Sequence, residues 1–203
     1  RGGGGADARV APAHVGAVAA IQTDGSNKQV VSGGGADGVV RVWNFATQHL
    51  DGEMDTGCAV VLMALHRPGS LVAAAGADRT VRVLDISGMR RVRSLKGAKT
   101  AVRALEFSSD GRWILAATED GAVVVWDVPA ARLLQIMRMS ADSPVVSLSL
   151  SPAMDMLATV HEGRRGVYLW ANSLMYGAVS GSGKKAVAVA EEDEEEEEED
   201  EEE

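Results

Sequence analysis

Four stretches of the sequence share one form: Asp37-Gly-Val-Val-Arg-Val-Trp43, Asp78-Arg-Thr-Val-Arg-Val-Leu84, Asp120-Gly-Ala-Val-Val-Val-Trp126 and Gly163-Arg-Arg-Gly-Val-Tyr-Leu-Trp170. Their last residues are 41, 42 and 44 positions apart. A repeat of about forty residues with four short apolar segments is typical of β-propeller blades, which are four-stranded sheets. Because a blade cannot bury both of its faces alone, it stacks on neighbours and presents its loops to partners. The repeat therefore predicts an all-β fold and favours binding over catalysis.

Residues 14–177 are predicted to form four blades. Turn signals such as Asp37-Gly38 and Glu119-Asp120-Gly121 separate the apolar segments, because glycine adopts positive φ without steric cost. A more polar strand lies between consecutive repeats, for example at residues 91–95 and 132–136, and is predicted to be the outer strand of a blade, where charges would discourage edge-to-edge pairing. Since propellers contain roughly four to eight blades, we expect these four to be part of a larger propeller.

The formal net charge of −9 combines two oppositely charged parts. All thirteen residues from Glu191 to Glu203 are acidic, so the rest of the chain carries 29 − 13 = 16 acids against 20 Lys and Arg, a balance of +4. We call residues 191–203 the acidic run and predict a disordered acidic tail there, because adjacent like charges repel. Residues 1–13 are predicted to be a flexible Gly/Ala-rich segment, and residues 178–190 a linker.

The repeats are similar to those of the WD-repeat family, in which the turn aspartate joins a His–Ser/Thr–Trp hydrogen-bond network that holds the blade together. The first repeat has a near-complete set, although an extra glycine lies between its serine and its aspartate. The resemblance implies structural roles for the following residues: His14, Ser32, Asp37, Trp43, Asp78, Asp120, Trp126 and Trp170.

The sequence contains no pattern that indicates catalysis, a cofactor or a metal. His49, His66 and His161 lack metal-ligand spacing to one another or to the single cysteine, Cys58. The segment Gly181-Ser-Gly-Lys184 lacks the Ser or Thr and the helix that a phosphate-binding loop requires. No apolar run approaches the length that spans a bilayer, so we expect no membrane contact. We therefore predict a protein that is not an enzyme and has no cofactor.

The densest basic stretch contains no acidic residue and includes Arg90, Arg91, Arg93, Lys96, Lys99 and Arg103. Such a stretch suits contact with RNA phosphates or with an acidic partner, and it equally suits a solvated blade edge. The acidic run suits long-range attraction to basic proteins such as ribosomal proteins or histones, and it equally suits a solubilising linker.

The closing part of the chain resembles one family more closely. The segments that carry this resemblance are Asp110-Gly-Arg-Trp-Ile-Leu-Ala-Ala-Thr-Glu-Asp-Gly-Ala-Val-Val-Val-Trp-Asp-Val-Pro129, Pro144-Val-Val-Ser-Leu-Ser-Leu-Ser-Pro152, Met156-Leu-Ala-Thr-Val-His161 and Gly166-Val-Tyr-Leu-Trp-Ala-Asn172. They resemble the closing blades of the second propeller in the tandem-propeller WD-repeat subunit of the small-subunit processome. That family belongs to the UtpB subcomplex and is associated with the U-three small nucleolar ribonucleoprotein.

The resemblance implies a non-catalytic scaffold in the nucleus and nucleolus that acts in pre-18S ribosomal RNA processing and small ribosomal subunit biogenesis. Its expected partners are the other propeller subunits of the UtpB subcomplex and, directly or indirectly, pre-ribosomal RNA or the small nucleolar ribonucleoprotein. The alternative is a generic WD-repeat adaptor in another complex, either a ubiquitin-ligase substrate receptor or a chromatin-associated propeller. A propeller enzyme would need acids or metal ligands that converge at the central channel, and the repeats do not supply them.

Overall fold

The computed structural model describes residues 13–139, residues 143–171 and the backbone of residues 186–188. These residues form four sheets, each with four antiparallel strands in chain order. The prediction of four propeller blades is confirmed. The predicted segment at residues 1–13, most of the predicted linker and the predicted acidic tail lie outside the described residues.

Each blade contains four consecutive strands. Blade 1 consists of β1 (Val18–Thr23), β2 (Gln29–Gly34), β3 (Val39–Asn44) and β4 (Leu50–Asp55). Blade 2 consists of β5 (Val60–His66), β6 (Leu71–Gly76), β7 (Val81–Asp85) and β8 (Arg90–Leu95), with a 3-10 turn at Arg67–Gly69. Blade 3 consists of β9 (Val102–Phe107), β10 (Trp113–Thr118), β11 (Ala122–Asp127) and β12 (Arg132–Arg138). Blade 4 consists of β13 (Val145–Leu150), β14 (Met156–His161), β15 (Val167–Ala171) and β16 (Ala186–Ala188).

The two ends of every blade differ in the connections that they carry. We call the end where the second and third strands join the upper end. The connection to the next blade also lies there, because the fourth strand ends beside the start of the third, as Asp55 does opposite Val39. The opposite end, with its turns between first and second and between third and fourth strands, is the lower end.

The hydrophobic core lies between the blades. The period-two alternation of a strand sends successive side chains to opposite faces of a sheet. In β6, Val72 and Ala74 accordingly pack toward blade 1, whereas Ala73 and Ala75 pack toward blade 3. A third cluster joins blades 3 and 4. Every interior blade therefore depends on a neighbour on each side, as the repeat predicts.

The first strands of consecutive blades lie side by side, since β1 contacts β5, β5 contacts β9, and β9 contacts β13. In all four blades the pairing of the first strand with the second contains a register shift near its upper end. A bulge of this kind increases the local twist of the strand. Its recurrence indicates that the four blades share one backbone design despite their different side chains.

The outer blades leave apolar side chains exposed. In blade 1, Ile21 is 65% exposed, and in blade 4, Val146 and Val167 are 45% and 47% exposed. Equivalent faces between interior blades are buried in the interblade clusters. The two terminal faces are thus the surfaces on which further blades would pack.

Two features differ from the expectations drawn from sequence. The outer strand β12 is less polar than expected, because Leu133, Leu134 and Ile136 are each about 40% exposed along it. Residues 186–188, expected to be part of a linker, pair with β15 as the fourth strand of blade 4. Without them β15 would have an unpaired edge, and the short Ala-Val-Ala segment contains a β-branched residue that suits a strand.

Candidate functional site

A continuous hydrogen-bond network joins two strands, a turn and a loop in blade 1. The Trp43 Nε1 donates to Ser32 Oγ over 2.8 Å, and Ser32 Oγ lies 2.8 Å from His14 Nε2. The other ring nitrogen of His14 lies 3.1 Å from Asp37 Oδ2. The structure therefore brings together all four side chains that the family resemblance grouped in the first repeat. Their arrangement anchors the entry to the blade, which precedes β1, to the turn after β2.

A buried arginine completes this network. Arg41 Nη1 donates to Asp37 Oδ2 over 2.8 Å, and the backbone amides of Val15 and Val39 donate to the same carboxylate. Burial opposes the ionisation of Asp37, but the hydrogen bonds from Arg41, from the two amides and from His14 outweigh it and hold the pKa of Asp37 well below its usual range. Asp37 therefore remains a charged anchor.

The glycine at position 34 makes room for this cluster. A Cβ on Gly34 would overlap Asp37 Oδ1 and lie 2.5 Å from His14 Nδ1. The glycine-rich segment that separates Ser32 from Asp37 thus accommodates the network, and the turn of residues 35–38 is as long as the turn of blade 2 and one residue longer than that of blade 3.

Blade 4 contains a second network that sequence reasoning only partly identified. Trp170 Nε1 donates to Thr159 Oγ1 over 2.9 Å, and Thr159 Oγ1 lies 3.0 Å from His161 Nε2. The second ring nitrogen of His161 lies 3.0 Å from the carbonyl oxygen of Ser143. Trp170 was identified from sequence, but Thr159 and His161 were not. The separation of eleven residues between hydroxyl and indole, the same as in blade 1, is the signal that would have found Thr159.

Blades 2 and 3 anchor their turns in other ways. In blade 2, the Arg82 guanidinium donates to both oxygens of Asp78, over 3.0 and 2.7 Å. This hydrogen bonding outweighs the effect of burial and holds the pKa of Asp78 well below its usual range. Leu84 occupies the position that Trp43 has in blade 1, so blade 2 has no indole N–H at this position that needs a hydrogen-bond acceptor.

In blade 3, the two residues expected to act together are separated. Asp120 accepts hydrogen bonds from Thr118 Oγ1 and Thr100 Oγ1 over 2.6 and 3.0 Å. Trp126 is fully buried, and its Nε1 donates over 2.8 Å to the carbonyl oxygen of Lys96, in the connection from blade 2. Trp126 therefore fastens one blade to the connection that precedes it, not to its own turn.

The structure divides the basic stretch between two ends of the molecule. Arg90 lies opposite Asp85 at the lower end of β8, whereas Leu95 lies opposite Val81 at the upper end. At about 3.3 Å per strand residue, Arg90 and Lys96 are separated by about 20 Å. The six residues therefore do not form one compact patch.

The side chains of the stretch also differ in their partners. Arg90 lies 3.5 Å from Asp85, Arg103 lies 3.1 Å from Glu119, and Arg93 donates to the carbonyl oxygen of Pro129 in blade 3. The remaining side chains of the stretch are exposed and form no ion pair within residues 13–139 and 143–171; they are Arg91, Lys96 and Lys99. Of these, the two lysines lie at the upper end, in the connection between blades 2 and 3.

Within the described part of the chain, no group of three His, Cys, Asp or Glu side chains is placed to hold a metal ion. No helix among the described residues is long and apolar enough to cross a membrane. What the geometry provides is a set of rigid sheets with anchored turns and an upper end whose connections carry exposed cations.

The sequence matches a family model and several known proteins over most of its length. The family model described as the WDR36/Utp21 second beta-propeller domain matches residues 4–192. WD repeat-containing protein 36 of Homo sapiens is 34% identical over 168 residues, which cover 83% of this chain. U3 small nucleolar RNA-associated protein 21 of Saccharomyces cerevisiae is 33% identical over 82% of the chain, and its homolog in Schizosaccharomyces pombe is 32% identical over 80%. The matched part spans 18% of the length of each relative.

Proposed function

The chain belongs to the WDR36/Utp21 second beta-propeller domain family, and from this premise we propose that it is a non-catalytic scaffold of the small-subunit processome. In this role it acts in pre-18S ribosomal RNA processing and small ribosomal subunit biogenesis, in the nucleolus. The observation that carries the proposal is the family match over residues 4–192, together with two relatives whose names state an association with U3 small nucleolar RNA.

The geometry suits a scaffold because its surface is organised before any partner binds. The interblade clusters and the networks around Asp37 and Thr159 hold the strands and turns in one arrangement. A rigid surface loses little conformational entropy on association, which favours binding. We propose that the upper and outer surfaces of the blades contact the other propeller subunits of the UtpB subcomplex.

We also propose a direct contact with RNA phosphates or an acidic partner at the upper part of the basic stretch. Lys96 and Lys99 are exposed, form no ion pair among the described residues, and lie on a connection that Trp126 and Arg79 hold through the carbonyl oxygens of those two lysines. A lysine without an acidic neighbour is available to a phosphate group. The lower part of the stretch is less available, because Arg90 and Arg93 already have partners.

The first experiment is affinity purification of the whole tagged protein from nuclear extract, followed by mass spectrometry and sequencing of bound RNA. Recovery of the UtpB propeller subunits with pre-ribosomal RNA is the expected result. Recovery of subunits of a cullin-type ubiquitin ligase or of chromatin complexes in their place would contradict the processome assignment and favour the alternative of a generic WD-repeat adaptor.

The second experiment tests the basic contact. In the whole protein, Lys96→Gln with Lys99→Gln removes two cations from the upper end. If both lysines contact phosphates of single-stranded RNA, the slope of log K against log salt concentration falls in magnitude by about 1.4. The matched control replaces two exposed lower-end cations, Lys28→Gln with Arg67→Gln, and leaves the slope unchanged. An equal loss of slope in both double variants would show diffuse attraction without a defined contact.

A further inference from the structure

The upper end of blades 2 to 4 is a basic surface. Six exposed cations lie at this end and form no ion pair within the described residues: Arg79, Lys96, Lys99, Arg138, Arg164 and Arg165. We call these six the upper basic surface. They come from the turns after β6 and β14, the connection after β8 and the end of β12.

Most acidic side chains at the upper end of these blades form a hydrogen bond or an ion pair with a nearby side chain. Asp78 is held by Arg82, Glu119 by Arg103, and Asp120 by two threonine hydroxyls. Glu162 lies at the same end of blades 2 to 4, and it has no side-chain partner among the described residues. Hydroxyl hydrogen bonds leave the charge of Asp120 in place, so Asp120 and Glu162 offset part of the six cations, and this end keeps an excess of positive charge.

The lower end has a different balance. Its arginines Arg90 and Arg112 lie 3.5 and 3.4 Å from Asp85 and Asp127. Four further cations at this end form no ion pair among the described residues, namely Lys28, Arg67, Arg91 and Arg132, and four further acids also lie there, namely Asp24, Asp51, Asp110 and Asp155. The excess of positive charge is thus a property of one end of the blades, in a molecule whose overall formal charge is −9.

The backbone of β16 leads the chain toward that end. Since β16 runs antiparallel to β15, Ala186 lies opposite Trp170 and Ala188 lies opposite Tyr168, one residue from the upper start of β15. The acidic run begins at Glu191, three residues after Ala188. Thirteen consecutive carboxylates thus follow directly from the upper end of blade 4, where Arg164 and Arg165 lie.

The acidic run is long enough to cover the whole upper basic surface. At 3.3–3.6 Å per extended residue, thirteen residues span about 45 Å at most. Stacked sheets lie about 10 Å apart, so blade 2 is about 20 Å from blade 4. Because the two charged groups are on one chain, their effective concentration is on the order of millimolar, which favours contact even when each charge pair is weak.

We propose that the acidic run, Glu191–Glu203, binds the upper basic surface of blades 2 to 4 within the same molecule and competes there with RNA phosphates and other polyanions. The contact is an exchange among many charge pairs and needs no single geometry. It goes beyond the scaffold function proposed above and does not rest on it. In this proposal the acidic run binds a defined surface of its own chain, whereas the sequence alone suggested a general attraction to basic proteins.

Carbodiimide cross-linking of the whole protein tests the contact, because it joins a carboxylate to a lysine only when the two touch. At about 0.1 M salt, Lys96 and Lys99 are expected to link to residues 191–203, and the links are expected to disappear at about 1 M salt, where the Debye length is about 3 Å. Lys28, at the lower end of blade 1, is the internal control. Equal linking of Lys28, or no link to Lys96 and Lys99, would overturn the proposal.

A charge-neutral variant provides the second measurement without disturbing the blades. Replacing every Glu and Asp of residues 191–203 by Gln and Asn keeps the length of the acidic run and removes its charge. Labelling of Lys96 and Lys99 by an amine reagent is expected to rise several-fold, while that of Lys28 stays constant. If labelling rises only after ribonuclease treatment and not in this variant, RNA is the occupant of the surface, and the proposal is refuted.

Discussion

At the scale of single residues, positions 34 and 161 show how two different sequences build one contact. Gly34 lies opposite Val18, and His161 lies opposite Val145, so the two occupy equivalent places at the upper ends of second strands. In blade 1 the imidazole comes from His14, before the first strand, and fills the space that Gly34 leaves. In blade 4 the strand itself supplies the imidazole. Both imidazole rings lie within hydrogen-bond distance of a hydroxyl on the second strand, and that hydroxyl comes from the residue two before position 34 or position 161.

Ser32→Ala tests the network of blade 1. The change leaves Trp43 Nε1 and His14 Nε2 without their partner, and an unsatisfied buried group costs about 1–3 kcal/mol. We expect the free energy of unfolding, measured by urea titration, to fall by about that amount. Ser32→Thr is expected to stay near the parent value, because Thr159 makes the equivalent contact in blade 4. The exposed Ser147→Ala is the control, and an equal loss there would contradict the assignment.

Asp78→Asn tests the ion pair of blade 2. The folded pKa of Asp78 lies below the unfolded value of about 3.9, so the Arg82 contact contributes stability above that pH and loses it as pH falls toward the folded pKa. We expect the parent protein to exceed Asp78→Asn in free energy of unfolding by a constant amount from about pH 6 to 8, and the difference to shrink below about pH 4. Glu162→Gln, at an exposed carboxylate that forms no ion pair within the described residues, is the control and should leave the free energy of unfolding near the parent value from about pH 6 to 8. A pH-independent difference for Asp78→Asn would exclude the ion pair as its cause.

At the scale of elements, the turn between β2 and β3 packs against the connection to blade 2. Gly38 has a φ of +65°, and a Cβ placed on it would lie 2.7 Å from the carbonyl oxygen of Cys58. Gly57 has a similar φ of +76°, but a Cβ placed there would have no neighbouring atom within 4 Å. The two glycines thus separate the cost of backbone conformation from the cost of a steric clash.

Gly57→Ala is therefore expected to lower the free energy of unfolding by about 1–2 kcal/mol, the cost of the left-handed conformation for a residue with a Cβ. Gly38→Ala should cost clearly more, since the Cys58 backbone must move as well. Thermal or urea unfolding of the two variants measures both values. Equal losses would mean that the turn relaxes without resistance and that the close approach of Gly38 to Cys58 is not constraining.

At the scale of the whole molecule, the two outer blades present apolar faces like those that interior blades bury. Residues 1–203 expressed alone are therefore expected to be poorly stable and to associate through these faces, because exposed contiguous apolar surface promotes association. Sedimentation velocity over a range of concentrations and binding of a hydrophobic dye measure this. A monomer with one sharp, reversible thermal transition would contradict the expectation.

A substitution on an outer face gives the matching control. Val167 is 47% exposed in blade 4, so Val167→Thr should change the thermal midpoint of the isolated chain little and should reduce its association. In the whole protein, where we expect a further blade to cover this face, the same substitution should be destabilising. A small effect in both settings would indicate that the face has no neighbour.

The sequence by itself determined the fold and much of the blade architecture. Strand positions and the four-blade count followed from the repeat, because hydrophobic alternation and glycine turns are local properties of the chain. The family resemblance rested on particular segments between Asp110 and Asn172. The family match confirms the resemblance. The grouping of His14, Ser32, Asp37 and Trp43 followed from the resemblance to WD repeats, in which these residue types occur together.

Only the tertiary structure decided which side chains meet across blades and which end of a blade they occupy. Trp126 donates a hydrogen bond to the carbonyl oxygen of Lys96, and His161 supplies the imidazole that His14 supplies in blade 1. The basic stretch, continuous in sequence, was divided between the lower and upper ends because β8 extends about 16 Å between them. Arg79, Arg138 and Arg164, distant in sequence, reached the same end. Proximity across sheets depends on strand register and stacking, which no local pattern encodes.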